Sequence, residues 1–181
     1  MTRPAITKVP KLKKLGYATG HVLNDMCAAM WFTYTLLFFE KVLNIDKDSA
    51  GTIMLIGQVV DGIATIFVGL CVDKQNDFWL CNIIGKRKAW HLIGTIFVMI
   101  SFPFIFMEIV GLEDPSITTQ MIYYTFFVIL FQFGWAAVQI SHLSIIPELT
   151  THESERTSLT SKRYDLSILN QVLKHYPKYL Y

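Results

Sequence analysis

His21 and Asp25 lie one helical turn apart at the start of an apolar stretch, with Asn24 beside them. At this spacing the three side chains can share one side of a helix. An imidazole and a carboxylate so placed can share a proton or hold a cationic group. A second set runs Gln58, Asp61, Thr65, Gly69 and Asp73. Its last four members recur every four residues and form one polar-or-small stripe, with Thr65 the natural neighbour of Asp61. A third set is Gln132, Trp135, Gln139 and His142. It suits a cavity wall made of hydrogen-bonding groups and an indole face. Each set also has a structural explanation. His21 and Asp25 can be a bonded pair near a helix start. The second stripe can be a packing seam with one carboxylate bonded to another helix, and Trp135 can simply pack. An enzyme is not the expectation, because no serine nucleophile elbow, metal triad or phosphate loop accompanies His21 and Asp25. No cofactor, metal or nucleic-acid partner is expected.

These residues sit in four long apolar stretches, at about 17–39, 50–72, 90–110 and 119–146. About 20 helical residues cross a hydrocarbon core of about 30 Å. The chain has 181 residues, 52% of them apolar, and a mean hydropathy of +0.40. That balance fits a helical membrane protein better than an ordinary soluble domain. The fold class expected is therefore an all-α protein with four transmembrane helices and the lipid bilayer as its surroundings. An aspartate at the bilayer centre costs about 2.5–3.5 kcal/mol on insertion scales. Asp25 and Asp61 need a compensating reason to be there, such as a water-filled path, an ion site or a solute site.

Local signals refine the spans. Ser49 is expected to cap the second helix. Gly62 and Gly69, two turns apart, are expected to let a neighbouring helix approach. Pro103 is expected to bend the third helix, Pro115 and Ser116 to mark the next turn, and Pro147 to close the fourth. The three cysteines, Cys27, Cys71 and Cys81, suggest no disulfide framework. The net charge is only +2, so its placement matters more than its sum. Arg3, Lys8, Lys11, Lys13, Lys14, Lys74, Lys86, Arg87 and Lys88 fall on one side of the spans, against Lys41 and Lys47 on the other. By the positive-inside rule the N-terminus is cytoplasmic. The first apolar run is too long for a cleaved leader and is expected to act as a signal anchor. Residues 1–14 read as a basic cytoplasmic segment, 15–164 as the membrane unit and 165–181 as a divergent tail. Leu166, Leu169, Val172 and Leu173 could place that tail at the interface as a short amphipathic helix.

The run Asp61-Gly-Ile-Ala-Thr-Ile-Phe-Val-Gly-Leu-Cys-Val-Asp73-Lys74, followed by Gly85-Lys-Arg-Lys-Ala-Trp90-His-Leu-Ile-Gly94, resembles the helix two–three signature of the major facilitator superfamily, in its melibiose-permease-like branch. In that signature a glycine, an aspartate and a basic cluster form a latch that stabilises one access state. Gly69, Asp73, Lys74, Gly85, Lys86, Arg87 and Lys88 match it. The segments Tyr17-Ala-Thr-Gly-His21 and Phe131-Gln-Phe-Gly-Trp135-Ala-Ala-Val-Gln139-Ile-Ser-His142 extend the likeness to a member of the superfamily associated with cysteine import into lysosomes and melanosomes.

The resemblance implies four helices of a twelve-helix alternating-access transporter, from its N-terminal half. It implies a small-molecule solute, cysteine or another amino-acid-like compound, and a lysosomal or melanosomal membrane. Residue by residue, Asp25 matches an aspartate that contacts sugar in melibiose-type permeases, and Asp61 matches the first carboxylate of their cation site. The second cation-site carboxylate falls at Thr65, an asparagine at Ala64 and a helix-four aspartate at Gln139. Sodium coupling and sugar transport are therefore not carried over, and a proton stands as a candidate coupling ion. Arg163 matches an arginine that helps bind substrate. His21, Asp25, Gln139, His142 and Arg163 are the expected solute-binding residues, with Asn24, Gln58, Asp61 and Thr65 as coupling or cavity residues. The change of character near Tyr164 suggests a shortened chain. The rival expectation is a truncated membrane protein that does not transport and pairs with a full-length copy.

Overall fold

Inside a bilayer every backbone N–H and C=O must be satisfied within the protein, so a continuous apolar run crosses as a helix. A computed structural model describes residues 9–73, 79–109, 111 and 115–175, with side chains to residue 165. Its helices are α1 (Lys11–Thr19), α2 (Val22–Lys41), α3 (Lys47–Asp73), α4 (Trp79–Ile84), α5 (Lys86–Ile105), α6 (Ile117–Ser144), α7 (Ile146–Leu149) and α8 (Glu153–His175). No strand occurs among the described residues. Four stretches are long and apolar enough to cross a membrane: Lys11–Lys41, Lys47–Asp73, Lys86–Ile105 and Ile117–Leu149. The all-α membrane architecture with four spans is thus the one expected.

α6 is the central span, with α5 packed most extensively along it and α3 next. Glycine permits the α5–α6 approach. A Cβ on Gly94 would stand 2.7 Å from the Gly134 carbonyl oxygen and 2.8 Å from the Val138 nitrogen; one on Gly134 would stand 2.7 Å from Phe97 Cβ. At the α3–α6 contact a Cβ on Gly57 would meet Val128 at 2.9 Å and Trp31 at 3.1 Å. Small residues bring membrane helices together because lipid supplies no hydrophobic drive for their association. The expectation that Gly62 and Gly69 do this is corrected. No described residue comes within 4 Å of a Cβ at either position. Both stand off the face that α3 buries on α6, which carries Ile53, Gly57, Ala64, Val68 and Val72. Leu55, Val59, Ile63, Ile66 and Leu70 lie exposed on α3.

At the end away from the basic residues, aromatic rings fill the interior. Trp31 meets Phe131, Phe39 meets Tyr124, and Phe38 meets Phe106 at centroid separations of 5.5, 5.2 and 5.4 Å. The Tyr124 hydroxyl donates to the Met107 carbonyl at 2.9 Å and ties α6 to the chain leaving α5.

The helix ends depart from expectation at several points. α3 begins at Lys47, and its cap is Asp46: Oδ2 accepts the Ser49 amide at 2.9 Å. Ser49 is therefore the donor and not the cap, because the helix starts a few residues earlier than its apolar run. This bond and the Ser49 side chain hold the Asp46 carboxyl below its ordinary range. The resulting stabilisation is complete above the ordinary carboxylate range and is lost as pH falls through the lowered value. Hydrogen exchange at the Ser49 amide is expected to accelerate on acidification beyond its intrinsic rate, and Asp46→Asn is expected to remove that extra dependence. Ser116 caps α6 as the turn signal suggested, accepting the Thr119 amide at 3.3 Å. Pro103 lies inside α5, which stops two residues later with the Phe106 amide bonded to the Pro103 carbonyl. It thus sits in the last turn and marks a stop more than a mid-span bend. Gly85, between α4 and α5, has φ +87°, a conformation that glycine adopts without steric cost. Pro147 lies in the short α7, after a break at Ile145.

Two larger departures concern the ends of the chain. The first span starts at Lys11, directly after Pro10, and breaks at Gly20–His21 into α1 and α2. The polar stretch after Pro147 folds into α8, one helix that runs through residue 164 without interruption. The side chains of Leu166, Leu169, Val172 and Leu173 lie outside the described residues. α8 packs on α1, where Lys14 Nζ reaches Glu155 Oε2 at 2.7 Å and Ser158 Oγ at 2.9 Å.

Candidate functional site

The break in the first span frees backbone carbonyls that a continuous helix would satisfy, and side chains from other spans meet them. His142 Nε2 on α6 lies 2.7 Å from the Tyr17 carbonyl oxygen. His91 Nε2 on α5 lies 3.2 Å from the Gly20 carbonyl oxygen. A carbonyl can only accept, so both rings donate through Nε2–H. His21 Nε2 lies 3.2 Å from Asp25 Oδ1, the pairing expected from their spacing. The rings gather: His142 stacks on Tyr17 at 4.1 Å and on His21 at 4.8 Å, and His91 stands 5.8 Å from His142. His21 is 1% exposed and His142 2%, whereas the Asp25 side chain is 24% exposed.

A cavity of about 310 Å³ opens beside this cluster, lined by Lys13, Tyr17, Lys88, His91 and His142 among others. A smaller one, about 90 Å³, holds Gly20, Asn24, His91 and Thr95. Arg163 on α8 lies within electrostatic reach of Tyr17 and His142. Thus His21, Asp25, His142 and Arg163 converge, with Asn24 adjoining. Gln139 is half-buried on α6 and its side chain has no hydrogen bond among the described residues.

The α3 residues form no part of this cluster. Gln58 is exposed, and Asp61 and Thr65 are half-buried. The Asp61 side chain makes no hydrogen bond or ion pair with any described residue. Thr65 is a turn further along the same helix, and no contact carries its hydroxyl to the carboxylate. The latch residues do come together: Asp73, Gly85, Lys86, Arg87 and Lys88 line a cavity of about 490 Å³ with Glu148. Arg87 Nη1 lies 2.6 Å from Glu148 Oε1. Gly69 is not in this lining, and Lys74 lies outside the described residues.

Sequence reasoning missed His91 and Tyr17. A depth count finds His91: it stands three residues past Lys88, His21 stands seven past Lys14, and His142 stands six before Glu148. In antiparallel spans these positions lie at similar depth from the basic end. Tyr17 contributes its backbone carbonyl and ring face, and no side-chain pattern announces a freed carbonyl.

Four apolar spans with α6 at their centre, and ionisable groups at a broken first span, define a multi-pass membrane protein with a polar interior site. A family profile described as MFS/sugar transport protein matches residues 16–174, and the chain belongs to that family. It is 44% identical over 170 residues to major facilitator superfamily domain-containing protein 12 of Homo sapiens, covering 93% of this chain and 35% of the relative. The Mus musculus protein of the same name is 46% identical over 160 residues, covering 88% and 33%. A glucuronide carrier protein homolog of Escherichia coli is 28% identical over 149 residues, covering 82% and 31%. The chain thus spans about a third of the length of the curated relatives it matches. No solved structure matches it with significance.

Proposed function

We propose that the chain carries part of a secondary-active transporter that moves cysteine or a related amino-acid-like solute across a lysosomal or melanosomal type of membrane by alternating access. The observation that carries the reading is the half-open Asp25 carboxylate, paired with buried His21 at a break in the first span. Transporter sites are typically built at discontinuous helices. A zwitterionic solute suits this one: its ammonium meets Asp25, and its carboxylate meets the cationic side formed by Lys13, Lys88 and Arg163. Asn24, Gln58, Asp61, Thr65 and Gln139 are assigned to the cavity and coupling path, and the Asp73–Arg87–Glu148 region to the latch.

The test joins this segment to the remaining two thirds of domain-containing protein 12 and measures uptake of labelled cysteine in vesicles. Asp25→Asn, which keeps shape and removes charge, is expected to lower uptake by about tenfold or more at unchanged protein level, a loss of about 1.4 kcal/mol or more. Uptake equal to the unsubstituted chimaera would make Asp25 a structural residue. Orientation is checked separately. An impermeant thiol reagent added from the cytoplasmic side is expected to leave a cysteine at Ser116 unlabelled, and labelling there would reverse the assigned topology.

A further inference from the structure

We propose that the cavity of about 310 Å³ beside the break is a seat for an anionic phospholipid, with the lipid phosphate held between Lys13 and Lys88. These lysines are far apart in sequence, yet each is the third residue of its helix, α1 and α5, and both line the one cavity. Their sequence neighbours are committed elsewhere: Lys14 is paired with Glu155, and Arg87 with Glu148. Lys13 and Lys88 are exposed and have no ion-pair partner among the described residues. No carboxylate among the described residues lines the cavity. His91 and His142 turn Nε2–H to the backbone carbonyls of the break. Two ammonium groups therefore face one space without a counter-charge, and like charges repel. An anion placed there relieves the repulsion and accepts charge-assisted hydrogen bonds from both.

The remaining walls decide what kind of anion fits. Gly16, Tyr17, Ile145 and Leu149 give the cavity a largely apolar lining. A small inorganic anion gains nothing from such walls, whereas a hydrocarbon chain covers them and displaces water. Leu12 and Leu15, on either side of Lys13 and Lys14, are exposed and carry apolar surface outward from the cavity. The depth agrees. Both lysines stand in the first turn of a membrane span. Trp79, on the short helix packed against α5, is exposed at the same end. Tryptophan gathers at the membrane–water interface, the level of phospholipid headgroups. Basic pockets between transmembrane helices are where anionic headgroups bind. A phospholipid joins the phosphate and the hydrocarbon in one molecule that the surrounding bilayer supplies. The binding does not depend on the transporter reading, but one consequence rests on it. The solute carboxylate is assigned to the same cations, so lipid and solute exclude each other and anionic lipid acts as a competitive brake.

The test places the 181-residue protein in nanodiscs of phosphatidylcholine with a minor fraction of phosphatidylserine and reads retained lipid by native mass spectrometry. One phosphatidylserine per protein is expected, enriched about tenfold over its share of the bilayer. Lys13→Gln/Lys88→Gln is expected to remove the enrichment. Lys11→Gln/Lys162→Gln removes the same charge from exposed positions outside the cavity lining and is expected to keep it. Gly16→Leu keeps both lysines but enters the open space beside α1, and it is expected to lower the enrichment several-fold. No enrichment in the original protein, equal losses in the two double variants, or full retention in Gly16→Leu would each overturn the seat. The last two would mean attraction to a basic surface only. Lipid retention is read without transport, so it stands or falls apart from the transporter reading. In the chimaera, phosphatidylserine is expected to raise the KM for cysteine about threefold or more at unchanged kcat. An unchanged KM would overturn the competition, and a chimaera that moves no cysteine would count against the transporter reading.

Discussion

Placing a methyl group on Gly94 is expected to destabilise the bundle more than the same change at most other positions in the chain. The added carbon would lie 2.7 Å from the Gly134 carbonyl oxygen and 2.8 Å from the Val138 nitrogen. Both obstacles are backbone atoms of α6, so no side-chain rotation relieves the clash and the helices must separate. Overpacking of this kind costs about 1–3 kcal/mol. Gly134→Ala is expected to act similarly, through Phe97 Cβ at 2.7 Å and the Gly94 carbonyl oxygen at 2.9 Å. The two share one crossing, so the double variant is expected to lose less than the sum of the singles. Gly62→Ala and Gly69→Ala are the controls. Their Cβ atoms enter open space, and alanine favours a helix interior by about 0.8–1.0 kcal/mol over glycine, so these variants are expected to be neutral or slightly more stable. Thermal unfolding of the detergent-solubilised protein reads all four. A Gly94→Ala protein as stable as the original would show that the α5–α6 crossing is looser than described.

The contrast between these glycines shows what could be read in advance. Span number and approximate limits follow from length and hydropathy, because a bilayer sets a single thickness that every helix must match. Periodicity then identified a stripe on α3, but it cannot say which neighbour covers a stripe or whether one does. Gly62 and Gly69 share spacing without a partner among the described residues, whereas Gly94 and Gly134 have no common period because they lie on different helices. The candidate site divides in the same way. The His21–Asp25 pair is a local i,i+4 contact and was legible. The approach of His91 and His142 to the Gly20 and Tyr17 carbonyls joins residues 71 and 125 positions apart. It depends on a helix break that the apolar run around it conceals. Asp46 as the cap of α3 was obscured for a related reason: the apolar run starts later than the helix, so the polar first turn looked like a link.

The same long-range blindness hid the buried ion pair between α1 and α8, and breaking it carries the second large expected effect. From sequence Lys14 belongs to a basic cytoplasmic segment and Glu155 to a polar stretch after the last span. In the fold their side chains are only 10% and 11% exposed, with Nζ and Oε2 2.7 Å apart. Lys14 also donates to Ser158, and Glu155 accepts the Val9 amide at 3.1 Å, so both charges have further partners. Removing one member of a buried pair leaves the other uncompensated, at a cost of about 3–5 kcal/mol. Lys14→Met alone is therefore expected to lower the unfolding temperature sharply and to detach α8 from α1. Glu155→Met is expected to do the same. The double variant Lys14→Met/Glu155→Met is expected to recover much of the loss, because apolar replacement of both members of a buried pair is often close to neutral. Thermal unfolding and crosslinking between cysteines placed on α1 and α8 provide the two readouts. A double variant no more stable than the worse single variant would show that the two charges are not coupled and that the losses come from their other bonds, to Ser158 and to the Val9 amide. Recovery in the double variant would show that the cost of each single change is the buried charge left behind, with apolar contact between α1 and α8 able to take the place of the ion pair.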